Sequence, residues 1–178
     1  MDILTALHSR RSVRSYNSQK VTDEELKTIL AAGMTAPSAG NAQPWHMVIV
    51  DDAALLAQVP AINPYAAMAT KSPVSVLVCG NPTLEKYPGF WVQDCAAAIQ
   101  NMLLAATGLG IGSVWTGIYP MMERVTRFQK LFALPEHIIP HALLVFGHVD
   151  DVAVFSHKDR FDASKVSKNA GFGQPLDI

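Results

Sequence analysis

Arg10, Arg11 and Arg14, with Ser12 set among them, are the first residues whose types and spacing could do chemistry. Guanidinium groups make bidentate, charge-assisted bonds to phosphate, and a hydroxyl adds a donor or acceptor beside them, so the cluster suits an anion site. A solvated helix end is the alternative, since cations also complement the macrodipole there. Spacing leaves both readings open. A second unusual stretch, TAPSAGNAQPWH over residues 35–46, holds no acid, lysine or arginine and is crowded with Pro37, Gly40, Asn41 and Pro44. It lies between a segment that reads as a helix and one that reads as a strand.

The familiar catalytic patterns are missing. Gly108, Gly110 and Gly112 do not have the spacing of a dinucleotide loop, and they follow a helix and precede a strand, the reverse of that fingerprint. There is no phosphate-loop Gly-Lys-Ser/Thr, no His-Glu-x-x-His and no Gly-x-Ser-x-Gly elbow. The 6 histidines, at positions 8, 46, 137, 141, 148 and 157, show no ligand spacing, so no metal is expected.

The elements that must position these residues fit one domain spanning 1–178, because 178 residues at 49% hydrophobic content can bury a substantial core. A formal charge of −1, from 14 basic and 15 acidic side chains, gives no reason to expect nucleic acid or an anionic membrane as partner. Cys79 and Cys95 match no metal or redox spacing and read as reduced core thiols of a cytoplasmic protein. The N-terminal stretch MDILTALHSRRSVRSY places its basic residues after its apolar ones, the reverse of a secretory signal.

Asp2 can cap a first helix carrying Ile3, Leu4 and Leu7. Thr22 and Glu25 have capping-box spacing ahead of Leu26, Ile29 and Leu30, and Gly33 is placed to end that second helix. Residues 46–51 and 73–80 read as strands, the second apolar enough to be covered on both faces, and Pro60 and Pro64 divide the segment between them into short helices. Trp45, which leads into the first strand, reads as core. From Trp91 to Thr107 apolar residues lie on every side of a helical wheel, which places that helix in a core or a large interface.

Cys95 to Met122 carries no formal charge and is long enough to span a bilayer. Gln100 and Asn101 in its middle, four interrupting glycines and Pro120 favour a buried helix followed by a buried strand. A strand over 112–117, a helix over 121–132, a strand over 141–149 and a polar tail from Asp150 complete the chain. The mixture predicts an α+β fold with a sheet buried between helices.

Four stretches in order resemble the FMN-dependent nitroreductase family in its short form: Arg10-Arg11-Ser12-Val13-Arg14-Ser15-Tyr16, Pro37-Ser38-Ala39-Gly40-Asn41-Ala42-Gln43-Pro44-Trp45, the alanine-rich helix running through Gly108-Leu109-Gly110 into Ser113-Val114-Trp115-Thr116-Gly117, and Lys158-x-Arg160. The resemblance implies a three-layer fold with a mostly antiparallel central sheet flanked by helices, residues 150–178 forming a C-terminal arm. It also implies a homodimer with FMN at the interface.

By the same resemblance, Arg10, Lys158 and Arg160 bind the FMN phosphate and Ser12 and Arg14 face the pyrimidine edge of the ring, with Arg11 supporting one or the other. A cation at that edge would stabilise the anionic reduced flavin. Pro37, Ser38, Ala39, Asn41 and Gln43 belong to a loop packed against the flavin held by the other subunit. Prolines stiffen such a loop, Gly40 and Asn41 permit tight geometry, and absence of charge suits an aromatic ring. Trp115 belongs to the implied cofactor-binding set, and Thr116 and Gly117 would offer backbone groups close to the hydride-accepting nitrogen.

The implied reaction is ping-pong: NADH or NADPH reduces FMN, and a small electron-poor acceptor such as a nitroaromatic or quinone takes the electrons from the same face. No side-chain acid or base is identified. Met68 stands near where longer members of the family carry a basic residue, which leaves room for a second reading, an FMN storage or delivery protein with little turnover. A dimeric interaction protein with no cofactor is the third.

Overall fold

The computed structural model describes residues 1–169, 172 and 173, so the end of the expected arm, at 170–171 and 174–178, lies outside the described residues. Four strands, β1 (Trp45–Val50), β2 (Val74–Gly80), β3 (Ile111–Gly117) and β4 (Ile139–His148), form a sheet ordered β1-β2-β4-β3 in which every neighbouring pair is antiparallel. β2 is buried along its whole length, as its unbroken apolar character predicts.

One face of the sheet packs Val76, Val78, Leu144 and Phe146 against helix α5 (Trp91–Gly108), and the other packs Leu77, Leu143 and Val145 against Phe128 of helix α6 (Met122–Leu131) and the short helices α3 (Ala53–Leu56) and α4 (Val59–Ile62). The result is the expected α+β arrangement of three layers. Trp45 is buried in the α5-side core, and Cys79 and Cys95 are free and buried, their thiols pushed up to about 12 by desolvation. The uncharged stretch from Cys95 to Met122 divides into the body of α5, all of β3 and the turn before α6. Among the described residues no helix is long and apolar enough to cross a membrane.

Local signals account for the helix starts. Asp2 accepts from the backbone N–H groups of Leu4 and Thr5, both at 3.1 Å, and opens α1 (Ile3–Ser9). Thr22 and Glu25 exchange the two bonds of a capping box, at 3.2 and 2.8 Å, at the start of α2 (Asp23–Met34), a device worth about 1 kcal/mol.

Gly33 departs from expectation. It lies inside α2, which ends one residue later with Thr35 as its cap, and a Cβ there would sit 2.7 Å from Met102 Cγ. Its role is close approach of α2 to α5. In α1, Ile3, Leu4 and Leu7 remain exposed while Ala6 and Ser9 face inward. Outside β3, Ser12 bridges Ser113, with the Val13 N–H on the Ser113 carbonyl at 2.9 Å, so the arginine-rich segment covers that sheet edge.

Candidate functional site

Helix α1 delivers Arg10 and Arg11 from its C-terminal end to meet the returning tail. There Arg10, Arg11, Lys158 and Arg160, with Leu7, His8, Asp159 and Phe161, line a cavity of about 270 Å³. Partial burial, then the charges of Arg160 and Arg11, hold the Arg10 guanidinium below its ordinary range. No ion pair among the described residues involves any of these four cations.

Arg11 is nevertheless bonded. It donates to the carbonyls of His8 at 2.9 Å, Arg10 at 2.7 Å and Ser156, while the Lys158 N–H donates to the His8 carbonyl at 3.2 Å. Arg11 thus fastens the tail to α1, and His8 and His157 stack across the junction at 4.5 Å. Ser12 and Arg14 line a neighbouring cavity of about 390 Å³ with Tyr16, Asp150 and Asp151, and Arg14 Nη1 donates to the Ser12 carbonyl at 3.3 Å.

The loop from Pro37 to Gln43 folds into a 3₁₀ turn over Ala39–Asn41 with positive φ at Gly40 (60°), Asn41 (55°) and Gln43 (48°). Left-handed geometry at non-glycine residues costs about 1 kcal/mol or more each, so surrounding bonds must hold it. The Gln43 N–H donates to Ser38 Oγ at 3.0 Å, the Gln43 amide to Asn41 Oδ1 at 2.9 Å, and Lys86 to the Gly40 carbonyl. Beneath the loop, the Ala39 N–H donates to Asp94 Oδ1 at 3.0 Å. Asp94 is 5% exposed, and its Oδ2 has no partner among the described residues.

At the end of β3, Trp115 is partly exposed, Thr116 is buried with its hydroxyl on the Leu143 carbonyl at 2.8 Å, and Gly117 is exposed with open space where a Cβ would project. The Gly117 carbonyl accepts two bonds, from buried Asn63 Nδ2 and from Arg124 Nη1, both at 3.2 Å. Met68 packs partly buried against the α6-side core.

The structure therefore gathers Arg10, Arg11, Lys158 and Arg160 at one cavity, sets Ser12 and Arg14 at the next, and leaves the 37–43 loop and the Trp115–Gly117 strand end as separate surfaces of a single chain.

Sequence reasoning missed Asp94, Arg124 and His141. Asp94 had a signal, being the lone charge between Lys86 and Glu123. Arg124 and His141 had none, because their partners come from distant segments. His141 lies 5.9 Å from Trp115 and 6.0 Å from Trp91, ring to ring, and its Nδ1 has no partner among the described residues. Burial, partly opposed by a hydrogen bond with the Val92 backbone, lowers its pKa to about 4, so the ring is neutral at neutral pH.

Comparison with known proteins closes the question of kinship. The model of the Nitroreductase family matches residues 7–78 and 65–148. A protein of Methanothermobacter thermautotrophicus, provisionally named NADH dehydrogenase/NAD(P)H nitroreductase, is 43% identical over 93% of this chain and 86% of its own. A crystal structure of a similarly named protein from Parabacteroides distasonis superposes with a TM-score of 0.88 at 32% identity, covering 94% of this chain and 98% of that one. A provisionally named nitroreductase of Desulfovibrio desulfuricans, solved in complex with FMN, gives a TM-score of 0.78 at 31% identity over 94% and 96% of the two chains. The chain belongs to the nitroreductase family, a family of oxidoreductases.

Proposed function

We propose that this protein is an FMN-dependent oxidoreductase that draws electrons from NADH or NADPH and passes them to small electron-poor acceptors, nitroaromatics and quinones among them. The observation that carries the reading is the cavity lined by Arg10, Arg11, Lys158 and Arg160, where like charges collect beside Asp159 as the sole lining acid. Such an arrangement is self-repelling until an anion fills it, and a phosphate monoester brings about −1.5 to −2 charges and three acceptor oxygens. The group fits the residues present, as the FMN complex of the Desulfovibrio relative would suggest.

Bound FMN would supply two-electron hydride chemistry, which suits a ping-pong exchange between donor and acceptor. The chain's own work is positional. Arg10, Lys158 and Arg160 hold the phosphate, and Arg11 keeps the arm, which begins at residue 150 of a single 1–178 domain, docked beside them. Ser12 and Arg14 face the pyrimidine edge. Trp115, Thr116 and Gly117 border the ring, and the Pro37–Gln43 loop reaches the flavin of a second subunit.

Two features support the homodimer. Ile3, Leu4 and Leu7 are exposed on α1, and α1, α2 and α5 enclose an open cavity of about 410 Å³ with Ile3, Ala6, Ala32, Leu104 and Ala105 in its lining. A purely monomeric protein that still binds FMN at micromolar concentration in sedimentation would refute this arrangement. Met68, partly buried against the α6-side core where longer family members carry a basic residue, is the feature that favours the second reading of flavin storage.

One experiment separates the readings: anaerobic visible spectra of the protein with FMN, before and after NADH and then NADPH. Bleaching of the bound flavin band is expected. A bound flavin that stays oxidised points to storage, and no bound flavin removes the reading altogether.

A further inference from the structure

Helix α6 carries two arginines that are employed differently. Arg127 is spent on the protein: it pairs with Glu123 at 3.7 Å and donates to the Ala61 carbonyl at 2.7 Å. Arg124, half-buried one turn earlier, makes one bond, from Nη1 to the Gly117 carbonyl, and lies 5.5 Å over the ring of Tyr65, which is 74% exposed. Its remaining N–H groups have no acceptor among the described residues, and Glu123, the acid beside it in sequence, faces Arg127 instead.

The pair is anchored from below. Buried Asn63 donates to the same Gly117 carbonyl and accepts from the Tyr65 N–H at 3.2 Å, so one side chain fixes both the strand end and the aromatic platform. A guanidinium stacked on an aromatic ring keeps its charge and its planar fork while losing part of its hydration, which prepares it for an oxyanion.

Resting on the reading that the flavin ring borders Gly117, we propose that Arg124, set by Tyr65 and Asn63, is a specificity-determining residue that receives an anionic group, carboxylate or phosphate, on the molecule exchanging electrons at the site. Neutral acceptors gain nothing from it. The anion could belong to a carboxylated aromatic acceptor or to the phosphates of the pyridine nucleotide, and the two sources are separable by experiment.

The test titrates the FMN-loaded protein with benzoate and with its neutral isostere benzamide, reading the change in the bound flavin's absorption spectrum, and repeats the titrations with NAD⁺ and NADP⁺. In Arg124→Gln, binding of the anionic probe from the true source falls about tenfold, the loss of one charge-assisted hydrogen-bonded contact, while benzamide and FMN affinities hold. Arg124→Lys, which keeps the charge without the fork, recovers part of the loss. A loss on benzoate alone identifies a carboxylated acceptor, and a loss on the nucleotides alone identifies their phosphates.

Equal losses for benzoate and benzamide, or no loss on any anion, would overturn the proposal and leave Arg124 as a fastener of the β3 end. Failure of the unsubstituted protein to bind FMN would instead overturn the flavin reading, and this inference with it.

Discussion

Strands β2 and β4 and the corner formed by Arg10, Lys158 and Arg160 differ most in what they leave unsatisfied. In the central strands Val76, Leu77, Val78, Leu143, Leu144, Val145 and Phe146 are each covered completely, and both strands have hydrogen-bonded neighbours on either side. In the corner, cations face one another across a cavity with no ion pair among the described residues. The contrast locates two different jobs. Folding free energy is concentrated where apolar side chains are fully covered and the backbone is paired on both sides, and binding capacity is held where cations are left unmatched until a ligand arrives.

Removing a large side chain from the matched region should have the largest effect. Phe146→Ala is expected to lower the unfolding free energy by about 3–5 kcal/mol in urea denaturation, with FMN affinity of the folded protein unchanged. A parallel loss of flavin affinity in conditions where the variant is fully folded would show that the two regions are not separable.

His141 tests the boundary between them, since it sits in β4 yet leans on Trp115 at the strand end. Its folded pKa of about 4 lies below its ordinary 6.5, so the unfolded chain binds the extra proton first. The contribution is therefore fully present above pH 6.5 and is lost as pH falls toward 4, on the order of 3 kcal/mol in all. Glu25 loses stability in the same direction at the acid end: despite desolvation, hydrogen bonds from Thr22 and then His148 hold its carboxyl below the usual range. Comparing unfolding of the native protein and His141→Gln at pH 7 and pH 4.5 cancels that contribution. Equal slopes would remove His141 from the account.

The sequence was most legible where one short-range rule sufficed. The capping box at Thr22, the unbroken apolar run of β2 and the all-round apolar helix α5 are local patterns, and each appears where the pattern put it. Gly33 misled because a glycine near a helix end has two uses, and closeness to Met102 is invisible along the chain. The candidate site was partly legible. Resemblance identified Arg10, Lys158 and Arg160 as a group, although the chain brings them together only after the tail returns to α1. Asn63, Arg124 and the Gly117 carbonyl meet from three separate segments, and no spacing encodes that meeting.

A smaller effect, of opposite character to the core truncation, is expected in the corner. Arg10→Ala and Arg160→Ala should each weaken FMN binding by about 1.5–3 kcal/mol, tenfold or more, by fluorescence titration. The flavin-free protein should lose no stability, because Arg10 sits against the like charges of Arg160 and Arg11 and removing one relieves repulsion. If either variant destabilised the flavin-free chain as strongly as it weakened binding, the corner would be a structural clamp and the contrast with the sheet would disappear.

The smallest effect belongs to Asp94, which combines the two regimes: buried like the centre, yet with one oxygen unmatched like the corner. Asp94→Asn keeps an oxygen for the Ala39 N–H and removes a buried charge, so within one subunit it should be nearly neutral, about 1 kcal/mol or less in either direction. Asp94→Ala also removes that acceptor and should loosen the strained turn at Gly40, Asn41 and Gln43. Flavin affinity measured beside stability then decides what the free oxygen does. Asn matching the native protein in both would make Asp94 an anchor for the loop alone. Asn matching it in stability while losing flavin affinity would mean that the free Oδ2 is matched only in the assembled, flavin-bound protein.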